Sequence, residues 1–165
     1  FNGGKDAGVI LKLMCAAHAK FYHDQITAPT DLEHSDKPMD FTQTNSLRPR
    51  VIYFNNKLEF PEVLNFVQQT VQNYDLDMLA FDESFEFKDG LELLVKQHYP
   101  SPCPLASSIP PYPMAFVLGT RATDPNAKGQ GTLSPSSTWM PSFMRINPVV
   151  NWSYGHIWHF LRLFK

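Results

Sequence analysis

Apolar positions along the chain fall into short rhythms separated by polar or proline-rich stretches. Residues 6–21 place Val9, Ile10, Leu13, Met14, Ala17 and Phe21 on one stripe at helical spacing. Asp6 stands where an N-cap or first-turn acid stabilises such a helix. The run RVIYF at 50–54 has the length and character of a strand. Helical spacing returns from Phe60 to Tyr74 through Val63, Leu64, Val67 and Val71, with Pro61 suited to the first turn. LDMLAF at 76–81 predicts a second strand, DGLELLVKQH at 89–98 a short helix, and MAFVLG at 114–119 a third strand. A last helix is predicted over about 153–163. The polar stretch at 23–49 reads as an exposed loop or insertion, and the proline-rich run at 100–113 as an irregular connection. A Gly/Ser/Pro/Thr loop is expected from 119 to about 142.

Helices alternating with short apolar strands predict an α/β domain, its central sheet mostly parallel and flanked by helices. In such sheets ligands bind at the carboxyl ends of the strands, here the loops at 1–6, 55–60 and 119–124. These sequence-distant segments are therefore expected to converge on one crevice. The 165 residues suit one domain. A formal charge of -2 argues against a general attraction to nucleic acid. Cys15 and Cys103 form no CxxC pair and no disulfide framework, which fits a reducing compartment and excludes a zinc site built on paired cysteines. No apolar run approaches the roughly 18 residues of a membrane span.

The sharpest local feature is FNGGKD at 1–6, running straight into the first helix. Two glycines permit a tight turn that presents consecutive N–H groups to an anion, and the helix points its positive end at the same place. Lys5 adds a mobile point charge, and Asn2 an amide donor. The spacing is neither GxxxxGK[ST] nor GxGxxG, so neither the Walker loop nor the dinucleotide fingerprint is supported. A glycine turn before an ordinary capped helix explains the same residues. The segment VLGTRATDP at 117–125 packs a glycine, an arginine, two hydroxyls and an acid behind a predicted strand. Arg121 suits a two-point grip on phosphate. Asp124 suits either a sugar or ring N–H, or a turn before Pro125. A third segment, 139–162, is rich in aromatics around Arg145 and Asn147, which suits a planar ligand. Trp158, Phe160 and Leu161 at helical spacing read as core. The histidines are scattered, and no Ser-His-Asp or Cys-His arrangement stands out.

Taken together, FNGGKD, the strand followed by FPE within 50–62, GTRATDP and FMRINPVVNWSYGHIWHFLR resemble the fungal-type FAD synthetases. These FMN adenylyltransferases are PAPS-reductase-like members of the PP-loop group with a Rossmann-like, adenine nucleotide alpha-hydrolase-like fold. The resemblance implies transfer of AMP from ATP to FMN, giving FAD and pyrophosphate, with Mg2+ accompanying ATP. It implies that Asn2, Gly3, Gly4, Lys5 and Asp6 form the pyrophosphate loop and that Phe54 and Gly119 line the adenine nucleotide. It places Thr120, Arg121, Thr123, Asp124, Trp139, Phe143 and Arg145 on the FMN side. Asn2, Lys5, Asp6 and Arg121 are the expected catalytic set, acting by alignment and charge rather than as nucleophiles. No protein metal ligands are expected. The implied partners are small molecules alone, in a cytoplasmic monomer. Ala7 stands where a cysteine is common, and Asn55-Asn56 where an acid is expected after the strand. Against the family pattern, the chain reads as one domain, 1–165, lacking its first strand and truncated at both ends. The rival expectations are another PP-loop enzyme, such as a sulfonucleotide reductase, and a nucleotide- or flavin-binding module without turnover. The reductase would need a redox cysteine near its C-terminal end, and neither Cys15 nor Cys103 is so placed.

Overall fold

The computed structural model describes residues 1–27, 48–97 and 114–164. The proline-rich run, Cys103 and most of the polar stretch at 23–49 lie outside the described residues. The elements run in the order α1 (Lys5–Thr27), β1 (Arg50–Phe54), α2 (Pro61–Asn73), β2 (Asp77–Phe81), α3 (Phe87–Gln97), β3 (Ala115–Val117), β4 (Leu133–Pro135), β5 (Met144–Ile146) and α4 (Tyr154–Leu163).

Helix α2 starts where Pro61 fits the first turn and ends at Tyr74, where the Tyr74 N–H closes on the Thr70 carbonyl and the Asp75 N–H on that of Gln72. Helix α4 is capped by Ser153, whose side chain accepts from the His156 N–H while the His156 ring accepts from the Ser153 N–H. This is a reciprocal capping box with histidine in place of the usual Glu or Gln.

Strands β1 and β2 pair in parallel, Arg50 opposite Asp77 and Phe54 opposite Phe81. Strands β3 and β5 also pair in parallel, and β4 lies antiparallel on β5. The described strands thus form two sheets with parallel pairing predominant, as an α/β fold requires. Apolar side chains join the two: Phe81, Leu91, Leu94 and Phe143 are buried together, with Ile52, Phe54 and Phe116 packed around them. A second core holds Val9 and Ile10 of α1, Val149, and Ile157 of α4, with Val117 of β3 against it.

The structure departs from the expected pattern in three places. Helix α1 continues to Thr27, so residues 23–27 are helical rather than loop. Its buried stripe ends early: Leu11 is buried, whereas Ala17 and Phe21 are exposed. The stretch read as one long loop carries β4, and the aromatic segment after it carries β5. Both strands have three residues, too few for an alternating pattern to show.

Candidate functional site

The second core explains how the site is assembled. Val9 and Ile10 lie just inside α1, Val117 closes β3, and Ile157 lies in the first turns of α4. Burying these side chains together brings the start of α1, the loop after β3 and the start of α4 to one place.

The loop before α1 turns at Gly3, whose φ of +72° lies in the left-handed region that glycine adopts without strain. A Cβ at Gly3 would also stand 3.2 Å from Val63 Cγ1 of α2. The side chain of Asn2 helps make the turn, its Oδ1 accepting from the Gly4 N–H at 3.1 Å. The Gly8 N–H donates to the Gly4 carbonyl at 2.9 Å and opens the helical ladder. Asn2 and Gly4 are exposed, so the turn and the helix N-terminus face solvent together. The main-chain nitrogen of Phe1 donates to the Ile52 carbonyl, so the chain entering this loop runs beside β1.

Opposite lies the 119–124 loop. Gly119 packs so closely on Asp6 that a Cβ there would lie 2.9 Å from Asp6 Cβ and 3.0 Å from its carbonyl carbon. Only glycine fits at that approach. The Ala122 N–H donates to the Val150 carbonyl at 2.7 Å and ties the loop to the turn after β5.

The charged groups form a chain across this contact. Lys5 Nζ donates to Asp6 Oδ2 at 2.6 Å. Arg121 Nε lies 3.3 Å from Asp6 Oδ1, although neither atom makes a hydrogen bond. The Arg121 guanidinium donates to Asp124 Oδ1 at 2.8 Å, and the Arg121 backbone N–H donates to Asp124 Oδ2 at 2.8 Å. Both Asp124 oxygens therefore serve the arginine and its turn. The Asp124 N–H closes that turn on the Arg121 carbonyl. The tyrosine that opens α4 completes the cluster: the Lys5 ammonium lies 5.4 Å and the Arg121 guanidinium 6.0 Å from the ring centroid of Tyr154. Two cations and two carboxylates balance, and the N-terminus of α1 leaves the place positive. Such an arrangement has the chemistry to suit an anion.

The sequence candidates separate on this geometry. Asn2, Gly3, Gly4, Lys5, Asp6, Gly119, Arg121 and Asp124 come together, with Thr120 and Thr123 on the same loop. The glycine turn packs on Val63, Phe66 and Val67 of α2, the helix that follows the 55–60 loop. Phe54 stacks on Phe81 with centroids 4.8 Å apart and presses against Gly90, so it is used in the core. Phe143 is buried in the core, edge-on to Phe116 at 4.8 Å. Trp139 is exposed in a shallow groove with Lys88, Glu92 and Lys96 of α3. Arg145 donates to Ser137 Oγ at 2.9 Å, with its guanidinium 5.9 Å from the Phe143 ring centroid. Asn147 is fully buried and donates through Nδ2 to the Gly131 carbonyl, pinning the long loop to β5.

Tyr154 was not singled out by the sequence. Its signal was an aromatic residue directly behind a serine cap, on a helix whose other face carries Ile157. Cys15 is a free thiol on α1; burial pushes its pKa up and outweighs the opposing effect of Lys12. The described residues contain no group of three His, Cys, Asp or Glu side chains placed to hold a metal ion, and none of their helices is long and apolar enough to cross a membrane.

Residues 1–164 match the phosphoadenosine phosphosulfate reductase domain. The chain belongs to that family. Within it, the chain is 30% identical over 162 residues to a protein of Schizosaccharomyces pombe named probable FAD synthase, covering 98% of this chain and 49% of that protein. It is 26% identical over 166 residues to the flavin adenine dinucleotide synthase of Saccharomyces cerevisiae, covering 98% of this chain and 48% of that protein. Among solved structures, Candida glabrata FMN adenylyltransferase in complex with FAD and inorganic pyrophosphate superposes with a TM-score of 0.70 at 23% identity, covering 98% of this chain and 48% of that one. The chain thus spans about half the length of these relatives. The structural match supports the reductase-domain fold.

Proposed function

We propose that this chain carries the nucleotide site of an FMN adenylyltransferase. In that reaction a phosphate oxygen of FMN attacks the α-phosphorus of ATP, the bond to the β-phosphate oxygen breaks, and FAD and pyrophosphate are released. The observation that carries this reading is the junction of the 2–6 turn with the 119–124 loop through Asp6, Gly119 and Arg121. A helix N-terminus with an adjacent lysine suits the leaving pyrophosphate. An arginine held on a second loop suits a second phosphate-bearing reactant. The names of the yeast relatives support the same assignment. No covalent intermediate is needed, because alignment and charge stabilisation suffice for a direct displacement.

In this reading Asn2, Gly3, Gly4 and Lys5 hold the pyrophosphate, and Asp6 positions Lys5 and Arg121. Gly119 lies on the ATP side, while Thr120, Arg121 and Thr123 face FMN and Asp124 holds the arginine. Trp139 and Arg145 are assigned to the flavin side by resemblance. Mg2+ would neutralise the polyphosphate and would be carried by the phosphates of ATP, since no acidic cage for it stands among the described residues. The free Cys15 thiol suits the reducing conditions of the cytoplasm, where we place the protein as a monomer.

Titrating ATP and FMN separately, then measuring FAD by chromatography, tests this. Both ligands should bind and FAD should form. Binding of both without FAD would identify a holding module instead. Reduction of a sulfonucleotide at the expense of a thiol would place the chain with the reductases.

A further inference from the structure

We propose that Tyr154 is a positioning residue of this site, its ring holding Lys5 and Arg121 in the directions from which they meet phosphate. This inference rests on the phosphate-binding reading above. Lys5 comes from the start of α1 and Arg121 from the loop after β3, yet both cations lie over the ring of one residue on a third element, at 5.4 and 6.0 Å from its centroid. Tyr154 is itself exposed, so hydrophobic burial does not explain its placement. Its backbone is fixed from both sides. Ser153 and His156 cap the helix at this point, and Ile157, three residues on, is fully buried against α1.

The carboxylates alone would set a different geometry. Asp6 draws Lys5 and Arg121 towards one another, and Asp124 draws Arg121 back along its own turn. Two like charges converging on Asp6 repel, and the electron-rich face of an aromatic ring is a neutral surface on which both can rest. Because the ring is neutral, it holds the cations without competing with an incoming phosphate for their N–H donors, as a carboxylate would. The ring, not the hydroxyl, makes these contacts.

The test compares Tyr154→Phe and Tyr154→Leu with the parent. In the ligand-free protein, the ε-methylene protons of Lys5 should carry an upfield ring-current shift that Tyr154→Phe keeps and Tyr154→Leu abolishes. Titration with ATP and with inorganic pyrophosphate should show Tyr154→Phe within about twofold of the parent. Tyr154→Leu should bind about fivefold to thirtyfold more weakly, the loss expected for two cation–ring contacts, with a melting temperature close to the parent's. A shift absent from the parent, or Tyr154→Leu binding as tightly as the parent, overturns the proposal. So does Tyr154→Phe binding as weakly as Tyr154→Leu, because the hydroxyl would then be the working group. If the ring-current pattern holds while no form binds either anion, Tyr154 orders the cations as proposed and the nucleotide reading fails instead.

Discussion

Lys5 and Arg121 carry the same formal charge and approach the same carboxylate, yet they are placed for different work. The Lys5 side chain is 27% exposed, and its ion pair with Asp6 lies at the surface. A pair of that kind contributes about 0–1 kcal/mol to stability. A charged contact to phosphate contributes about 1.5–3 kcal/mol. Lys5→Ala should therefore leave the melting temperature nearly unchanged while ATP affinity falls by about tenfold or more. Thermal melts and ATP titration measure both, and an unchanged ATP affinity would remove the phosphate-loop assignment. Arg121 is only 11% exposed and bridges Asp6 and Asp124. Arg121→Lys keeps the charge but loses the planar fork, so it is not a conservative change. We expect it to lower unfolding stability by about 1.5–3 kcal/mol and to weaken FMN binding, read by flavin fluorescence quenching. Weakened stability with unaltered FMN binding would make Arg121 a brace between loops and nothing more.

At the scale of elements, the loops are placed by what they abut. Gly119→Ala forces a Cβ to within 2.9 Å of Asp6 Cβ, against the first turn of α1, which has little room to give. Overpacking of this kind costs about 1–3 kcal/mol. The larger effect should be on FAD formation, since a displacement of about 1 Å in a site that works by alignment can cost about a hundredfold. Wild-type turnover in a folded Gly119→Ala protein would show that the 2–6 turn and the 119–124 loop do not act together. The elements themselves were legible to different degrees. Helix α2, with Pro61 at its start and a clear apolar period, was readable almost to the residue, and β1 matched the RVIYF run. Strands β4 and β5 were not readable, because three-residue strands such as LSP and MRI have no period. The glycine turn and GTRATDP were visible as motifs, and their meeting followed from a parallel α/β arrangement. Phe143 packs in the core and Phe54 against it, and sequence does not show this because an aromatic beside a motif serves core and ligand equally well until its neighbours are known. Tyr154 was missed for the converse reason, since nothing local marks a ring whose partners lie more than a hundred residues away in the chain or across a loop.

Across the whole molecule, the two cores divide the labour. One, around Val9, Ile10, Val149 and Ile157, lies beneath the origins of α1 and α4 and against β3, and so beneath all three elements that bear the charged cluster. The other, around Phe81, Leu91, Leu94 and Phe143, joins β1, β2 and α3 to the β3–β5 ladder. A cavity in either should cost similar stability. Ile157 is fully buried and Leu94 is nearly so, and truncating either to alanine should lower unfolding free energy by about 2–5 kcal/mol. Their effects on the site should differ. Ile157→Ala loosens the packing of α4 on α1, which sets Tyr154 against Lys5, and should weaken ATP binding at temperatures where the protein is still folded. Leu94→Ala opens space behind α3, beside the exposed Trp139 groove rather than the phosphate turn. It should leave ATP affinity near that of the parent. Urea unfolding establishes that both variants are compared in the folded state, and ATP titration at matched folded fraction then separates them. If Leu94→Ala weakens ATP binding as much as Ile157→Ala does, the nucleotide site draws its rigidity from the whole fold and not from the α1–α4 core.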